Sequence, residues 1–253
     1  MRASLLFLAL FVGSSLALDC QEIDGRLKQI DVSNGQVFGV NSEGLIFTRY
    51  GKNWVQLPGA LKHVTVGPAG VWGVNKEDLI YKLVGGDWKQ VQGLLKQIDA
   101  GGNQFVAGVN MQDNIYCLNR DPTVTTSGGE ASIPWNLLPG ALKYYSCGPY
   151  SCWGVNAADQ IFVMKGVTPD ACMGSKAWQQ VPGALSMIEV STDGRVFGVN
   201  SAGKVYRRDG VTVSNPAGTD WTDLAMCVKS KHVSYDLGVL WLISKDDNIL
   251  ACH

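Results

Sequence analysis

The chain has 253 residues, 21 Lys and Arg against 22 Asp and Glu, and a formal net charge of −1. That balance, with no basic cluster, excludes the electrostatic footprint of a nucleic-acid-binding protein. No stretch is apolar for the roughly 20 residues a membrane-spanning helix needs.

The chain opens with Arg2, an apolar run over residues 5–12 and the small-residue end Ser15-Leu16-Ala17. This pattern predicts a secretory signal peptide over 1–17, cleaved after Ala17, and a mature domain over 18–253. Losing Arg2 leaves 20 basic against 22 acidic residues, a net charge of −2.

The mature chain is repetitive. Gly-Val-Asn occurs at 39–41, 73–75, 108–110, 154–156 and 198–200. Phe38, Trp72, Trp153 and Phe197 precede four of these copies, and Ala107 precedes the third. A tryptophan recurs between them at Trp54, Trp88, Trp135, Trp178 and Trp221, and most copies continue into a Gly-(Ala/Leu)-Leu-Lys turn such as Gly59-Ala60-Leu61-Lys62. Cys20 stands where that tryptophan would fall ahead of Gly25-Arg26-Leu27-Lys28, and Trp241-Leu242-Ile243-Ser244 is a degenerate sixth copy. The stretch 54–83 shows the content of one unit: short β-like runs at 54–57, 62–66, 71–75 and 79–83, separated by turn-forming residues. It reads as a four-stranded antiparallel meander. Val64 and Val66, alternating with His63 and Thr65, predict a half-buried strand.

A sheet of about 34 residues cannot bury both faces alone, so the units must stack. Six four-stranded units point to an all-β fold, a six-bladed β-propeller. The first run supplies a lone fourth strand and the last copy stops after its third, so the N-terminal strand is expected to pair with the C-terminal one and close the ring. Spacings between the Asn motifs grow through extra residues at 119–134 and 166–177, and residues 209–220 form a third insert of the same kind. All three lie between a third strand and a Trp strand. They read as surface loops on one rim.

All seven cysteines lie after the expected leader, where disulfides are the default. The topology pairs Cys20 with Cys252 across the closing blade, Cys147 with Cys152 across a strand turn, and Cys117 with Cys172 on the insert rim. Cys227 is left over.

A catalytic reading finds no support in the sequence. The histidines His63, His232 and His253 lack zinc-ligand spacing. No nucleophile elbow, Walker loop or dinucleotide turn is present, and no carboxylate cluster at the central channel is visible in the sequence. Short acidic turns lack the EF-hand register, which leaves calcium elsewhere open. Asn41, Asn75, Asn110, Asn156 and Asn200 have two readings: each can bond its own turn backbone, or contact a glycan hydroxyl from the rim. The five regular tryptophans read first as packing between blades and second as platforms for sugar C–H faces.

The repeated Trp-x-Gln-(Leu/Val)-Pro-Gly-Ala-Leu and (Phe/Trp)-Gly-Val-Asn-x-x-x-x-(Ile/Leu)-(Phe/Tyr) pattern resembles the tectonin repeats of fish-egg and horseshoe-crab lectins. It runs through essentially all of 18–253. The resemblance implies a secreted tectonin propeller that binds N-acetylglucosamine-type glycans and bacterial lipopolysaccharide in egg and innate defence. The sixth copy departs from the motif, having Ser244 where the Asn would stand. The competing expectation is a non-catalytic scaffold that binds protein partners in an egg envelope. Self-association of the ring is left open by the sequence.

Overall fold

The computed structural model describes residues 18–253, and the expected leader at 1–17 lies outside the described residues. Six four-stranded antiparallel sheets are arranged as the blades of a β-propeller. Blades 1 to 5 span 29–57, 63–94, 97–138, 144–184 and 187–223, each running from an inner to an outer strand. Blade 6 takes three strands from 230–252 and its outer strand from Cys20–Arg26.

That outer strand closes the ring. Cys20 pairs with Cys252, Gln21 with Ala251, Glu22 with Leu250 and Ile23 with Ile249. Asp19 and His253 exchange backbone hydrogen bonds of 3.2 and 2.9 Å beyond the strand ends. Disulfides join Cys20 to Cys252, Cys117 to Cys172 and Cys147 to Cys152, and Cys227 is free and exposed.

Two expectations need correction. The runs at 54–57 and 62–83 do not form one meander: Asn53–Leu57 is the outer strand of blade 1, while the next three runs open blade 2. The link at 58–62 is a crossover from the outer edge of one sheet to the inner edge of the next. Sequence periodicity alone cannot tell it from a hairpin turn. The strand His63–Gly67 is also buried on both faces over its first four residues. An inner strand is sandwiched between neighbouring blades, so polar residues that alternate in sequence are buried as well.

The insert at 119–134 adds a local detail, the six-residue helix Arg120–Thr125. Lys82 of blade 2 reaches it and donates to the carbonyls of Thr123 and Thr126 at 2.8 and 2.9 Å. Because strands alternate in direction, the inserts and the Asn turns lie on opposite ends of the ring.

The outer tryptophans hold neighbouring blades together. Each sits against a positive-φ glycine that ends the previous outer strand: Trp54 on Gly25, Trp88 on Gly59, Trp135 on Gly93, Trp178 on Gly140 and Trp221 on Gly183. A Cβ on Gly93 would lie 2.9 Å from the Trp135 indole nitrogen, so a side chain there would push the blades apart. Four of the indoles donate across the gap at 2.8–3.0 Å, Trp54 to Asp24, Trp135 to Gln92, Trp178 to Pro139 and Trp221 to Pro182. The strand register puts Cys20 at the tryptophan's place in blade 6, where its bond to Cys252 ties the outer strand to the third strand of the same blade.

Candidate functional site

Two regions bring polar or aromatic side chains together: the central channel and the rim that carries the Asn turns. In the channel, the inner strands place one residue per blade at the same level: Asp31, Thr65, Asp99, Ser146, Glu189 and Ser234. Acids alternate with hydroxyls around the ring. All three acids are buried, being 7%, 3% and 6% exposed for Asp31, Asp99 and Glu189. This corrects the expectation that the channel holds no carboxylate cluster. The acids come from strands far apart in sequence and share no motif, so only the ring closure reveals them.

Hydrogen bonding between blades explains why these acids are tolerated. Asp31 accepts from the Val66 amide at 2.8 Å and from Ser234 Oγ at 3.1 Å. Asp99 accepts from the Cys147 amide at 2.9 Å. Ser146 Oγ lies 3.2 Å from Asp99 Oδ2 and 3.3 Å from Glu189 Oε1, and already accepts the Val190 N–H. One hydroxyl proton cannot serve both acids, so the second carboxyl completes its bond by keeping a proton. Burial, followed by mutual repulsion, accordingly pushes Asp99 up to about 8 and Glu189 well above its ordinary value; burial alone raises Asp31 to about 6.

A second layer plugs the axis beside the acids. His63, Tyr144 and His232 converge with ring centroids 5.9–6.3 Å apart, and the Tyr144 hydroxyl lies 2.9 Å from His232 Nε2. Burial lowers both histidines to about 3, so they are neutral. Among the described residues, no group of three or more His, Cys, Asp or Glu is arranged to hold a metal ion.

The rim is open to solvent. Each Asn begins the turn between the second and third strands of its blade. Asn41 Oδ1 accepts the amides of Glu43 and Leu45 at 3.1 and 2.8 Å. Asn75, Asn110 and Asn156 accept from the corresponding amides in the same way, and Asn200 accepts from Lys204. The oxygen is therefore committed to the turn, the structural one of the two roles expected for these residues. The amide nitrogen is a different matter. Asn156 Nδ2 donates to Gln160 at 2.8 Å, whereas the other four make no such bond among the described residues. Ser244 of blade 6 takes the same two amides on Oγ, at 3.2 and 3.0 Å, and has no amide to offer a ligand.

The structure does not gather the five asparagines into one site; each belongs to its own blade. Asn41 and Asn75 line one cleft of about 300 Å³ with Lys28, Glu43, Lys62 and Glu77. Asn110 lines another of about 320 Å³, with Trp135 and Tyr116 in its wall. This second cleft involves residues not singled out from the sequence. The aromatic of the third strand in blades 1 to 5, Phe47, Tyr81, Tyr116, Phe162 or Tyr206, stands on the same sheet as a half-buried tryptophan, beside the gap to the preceding blade. The final Phe/Tyr of the repeat pattern was the available signal.

The model of the Tectonin domain matches residues 26–245. A fish-egg lectin of Cyprinus carpio is 61% identical over 236 residues, covering 93% of this chain and 98% of that protein. A tectonin β-propeller repeat-containing protein of Drosophila melanogaster is 29% identical over 76 residues, covering 30% of this chain and 6% of that one. Among solved structures, virginiamycin B lyase from Staphylococcus aureus superposes with TM-score 0.59 at 14% identity, covering 88% of this chain and 78% of that one. YCF48 bound to D1 peptide gives 0.53 at 16% identity, covering 93% and 81%. These two share the propeller fold alone. Repeat pattern, blade geometry and full-length similarity agree: the chain belongs to the tectonin family and is a homologue of fish-egg lectin.

Proposed function

We propose that this protein is a secreted, non-catalytic lectin that recognises N-acetylglucosamine-type glycans and bacterial lipopolysaccharide, serving egg and innate defence. The observation that carries the reading is the ring of repeated turns and clefts on one rim, in a chain 61% identical to a fish-egg lectin. The Nδ2 of Asn41, Asn75, Asn110 and Asn200, unbonded among the described residues, is a directed donor for a sugar oxygen, and beside Asn110 the Trp135 and Tyr116 wall suits a pyranose C–H face. Three disulfides fit an oxidising, extracellular setting after removal of residues 1–17.

Each cleft is shallow, so function rests on several weak sites. Linking such sites on one rigid ring raises avidity on a dense surface by roughly 10²–10⁴ without new contacts. The test is retention on immobilised N-acetylglucosamine and elution by the free sugar. A single Asn→Ala change at Asn41, Asn75 or Asn110 lowers retention modestly, the triple variant lowers it further, and adding Asn200→Ala abolishes it. Melting is measured first, because each Oδ1 also holds its turn. Failure of the free sugar to elute the protein refutes the reading, and so does total loss of retention from one substitution.

A further inference from the structure

The five gaps that carry the Gly–Trp contact are internal controls for one another, and one has diverged. The gap between blades 2 and 3 has Leu94 after the latch glycine, where the glycines following blades 1 and 3 and ending blade 4 are followed by Ala60, Ala141 and Ala184. Across the strand pair, Tyr116 faces Leu137, where Phe47, Tyr81 and Phe162 face Gln56, Gln90 and Gln180. Met111 comes directly after the turn asparagine, where the other copies have Ser, Lys or Ala. Leu94 and Met111, 49% and 40% exposed, line the cleft together, and Leu137, 60% exposed, lies opposite its Tyr116, so the exposed apolar side chains are grouped at this gap rather than scattered. The resulting cleft measures about 320 Å³, against about 110 Å³ at the equivalent gap between blades 6 and 1, where Arg26 stands in the leucine's place.

Among the described residues no charged one lines this cleft; its floor is Ile80 and Leu95, and its wall Trp135 and Tyr116. At its mouth, Asn110 Oδ1 is occupied by the turn, which leaves Nδ2 as a donor facing ligand acceptors. The cleft therefore asks for an uncharged ligand with an acceptor carbonyl next to an apolar group larger than a methyl. We propose that the gap between blades 2 and 3 is a specialised subsite for N-acylated hexosamines whose acyl chain is longer than acetyl, the carbonyl on Asn110 and the chain on Leu94, Met111 and Trp135. This rests on the lectin function proposed for the rim and adds a preference that the other clefts lack.

The experiment titrates the mature protein with N-acetyl- and N-butyrylglucosamine while tracking the Trp135 indole N–H signal by NMR, assigned with Trp135→Phe. Two more buried methylenes raise affinity about tenfold at this signal. The variant Leu94→Ala/Leu137→Gln, which installs residues the sister copies already carry, removes that preference and leaves the indole signals of the other latch tryptophans responding as in the unmodified protein. Equal affinity for the two sugars, or a preference unchanged in the variant, overturns the inference while leaving the lectin reading standing. If neither sugar moves any indole signal, the lectin reading falls with it.

Discussion

Ring closure is the feature whose energetic weight the structure lets one calculate. Cys20 and Cys252 are separated by 232 residues, whereas Cys147 and Cys152 are separated by 5. In the chain-entropy model, a cross-link stabilises by restricting the unfolded chain, as the logarithm of the loop it closes. The long loop contributes about 5 kcal/mol and the short one about 2 kcal/mol. Both bonds bridge directly paired residues of adjacent strands, so their folded environments are comparable. The perturbation is therefore a pair of double variants, Cys20→Ala/Cys252→Ala and Cys147→Ala/Cys152→Ala. Alanine is chosen because Cys252, Cys147 and Cys152 are all buried. For a chain of this size, 1 kcal/mol shifts Tm by roughly 2–4 °C, so the closing-bond variant should melt roughly 10–20 °C lower and the other about 4–8 °C lower. Calorimetry on the oxidised proteins reads this directly. A closing-bond variant that loses no more than the hairpin variant refutes loop closure as the source of stability.

The channel acids and histidines make stability depend on pH in opposite senses. Asp99 is raised from 3.8 to about 8, so the folded protein holds protons that the unfolded chain releases, and stability falls as pH rises through that interval. His63 and His232 are lowered from 6.5 to about 3, so stability falls as pH drops below 6.5. Tm should therefore decline between pH 6.5 and 8.5, where only the acids act, and Asp99→Asn should flatten that decline; a Tm that rises across the window contradicts it. For the odd thiol, alkylation of the native, unreduced protein should modify Cys227 alone, and peptide mapping that finds label on any other cysteine contradicts the pairing.

Much of the fold was legible because repetition substitutes for an alignment. Gly-Val-Asn at a fixed strand position set the blade count, and the complementary runs at Cys20 and Cys252 pointed to the closure. Where one blade ends was not legible, since the crossover at Pro58-Gly59 has the same turn chemistry as a hairpin. The channel was hidden for a different reason. Asp31, Asp99 and Glu189 are neighbours only because the strands bearing them converge on one axis, and no local pattern records that. The asparagines were legible as turn residues, and the structure adds that Oδ1 is spent while Nδ2 makes no bond among the described residues in four of the five. The aromatic walls were present in the repeat pattern, but their position beside an inter-blade gap required the strand register.

The central claim is a rim of several weak, near-equivalent glycan sites, and the most direct test is calorimetric titration of the mature protein with free N-acetylglucosamine. Such a rim gives saturable binding at more than one site per chain with millimolar affinity, about −4 kcal/mol each, weakened by the triple Asn41, Asn75 and Asn110→Ala variant at a temperature well below that variant's own Tm. Absence of saturable binding, or a single tight site unaffected by that variant, would contradict it.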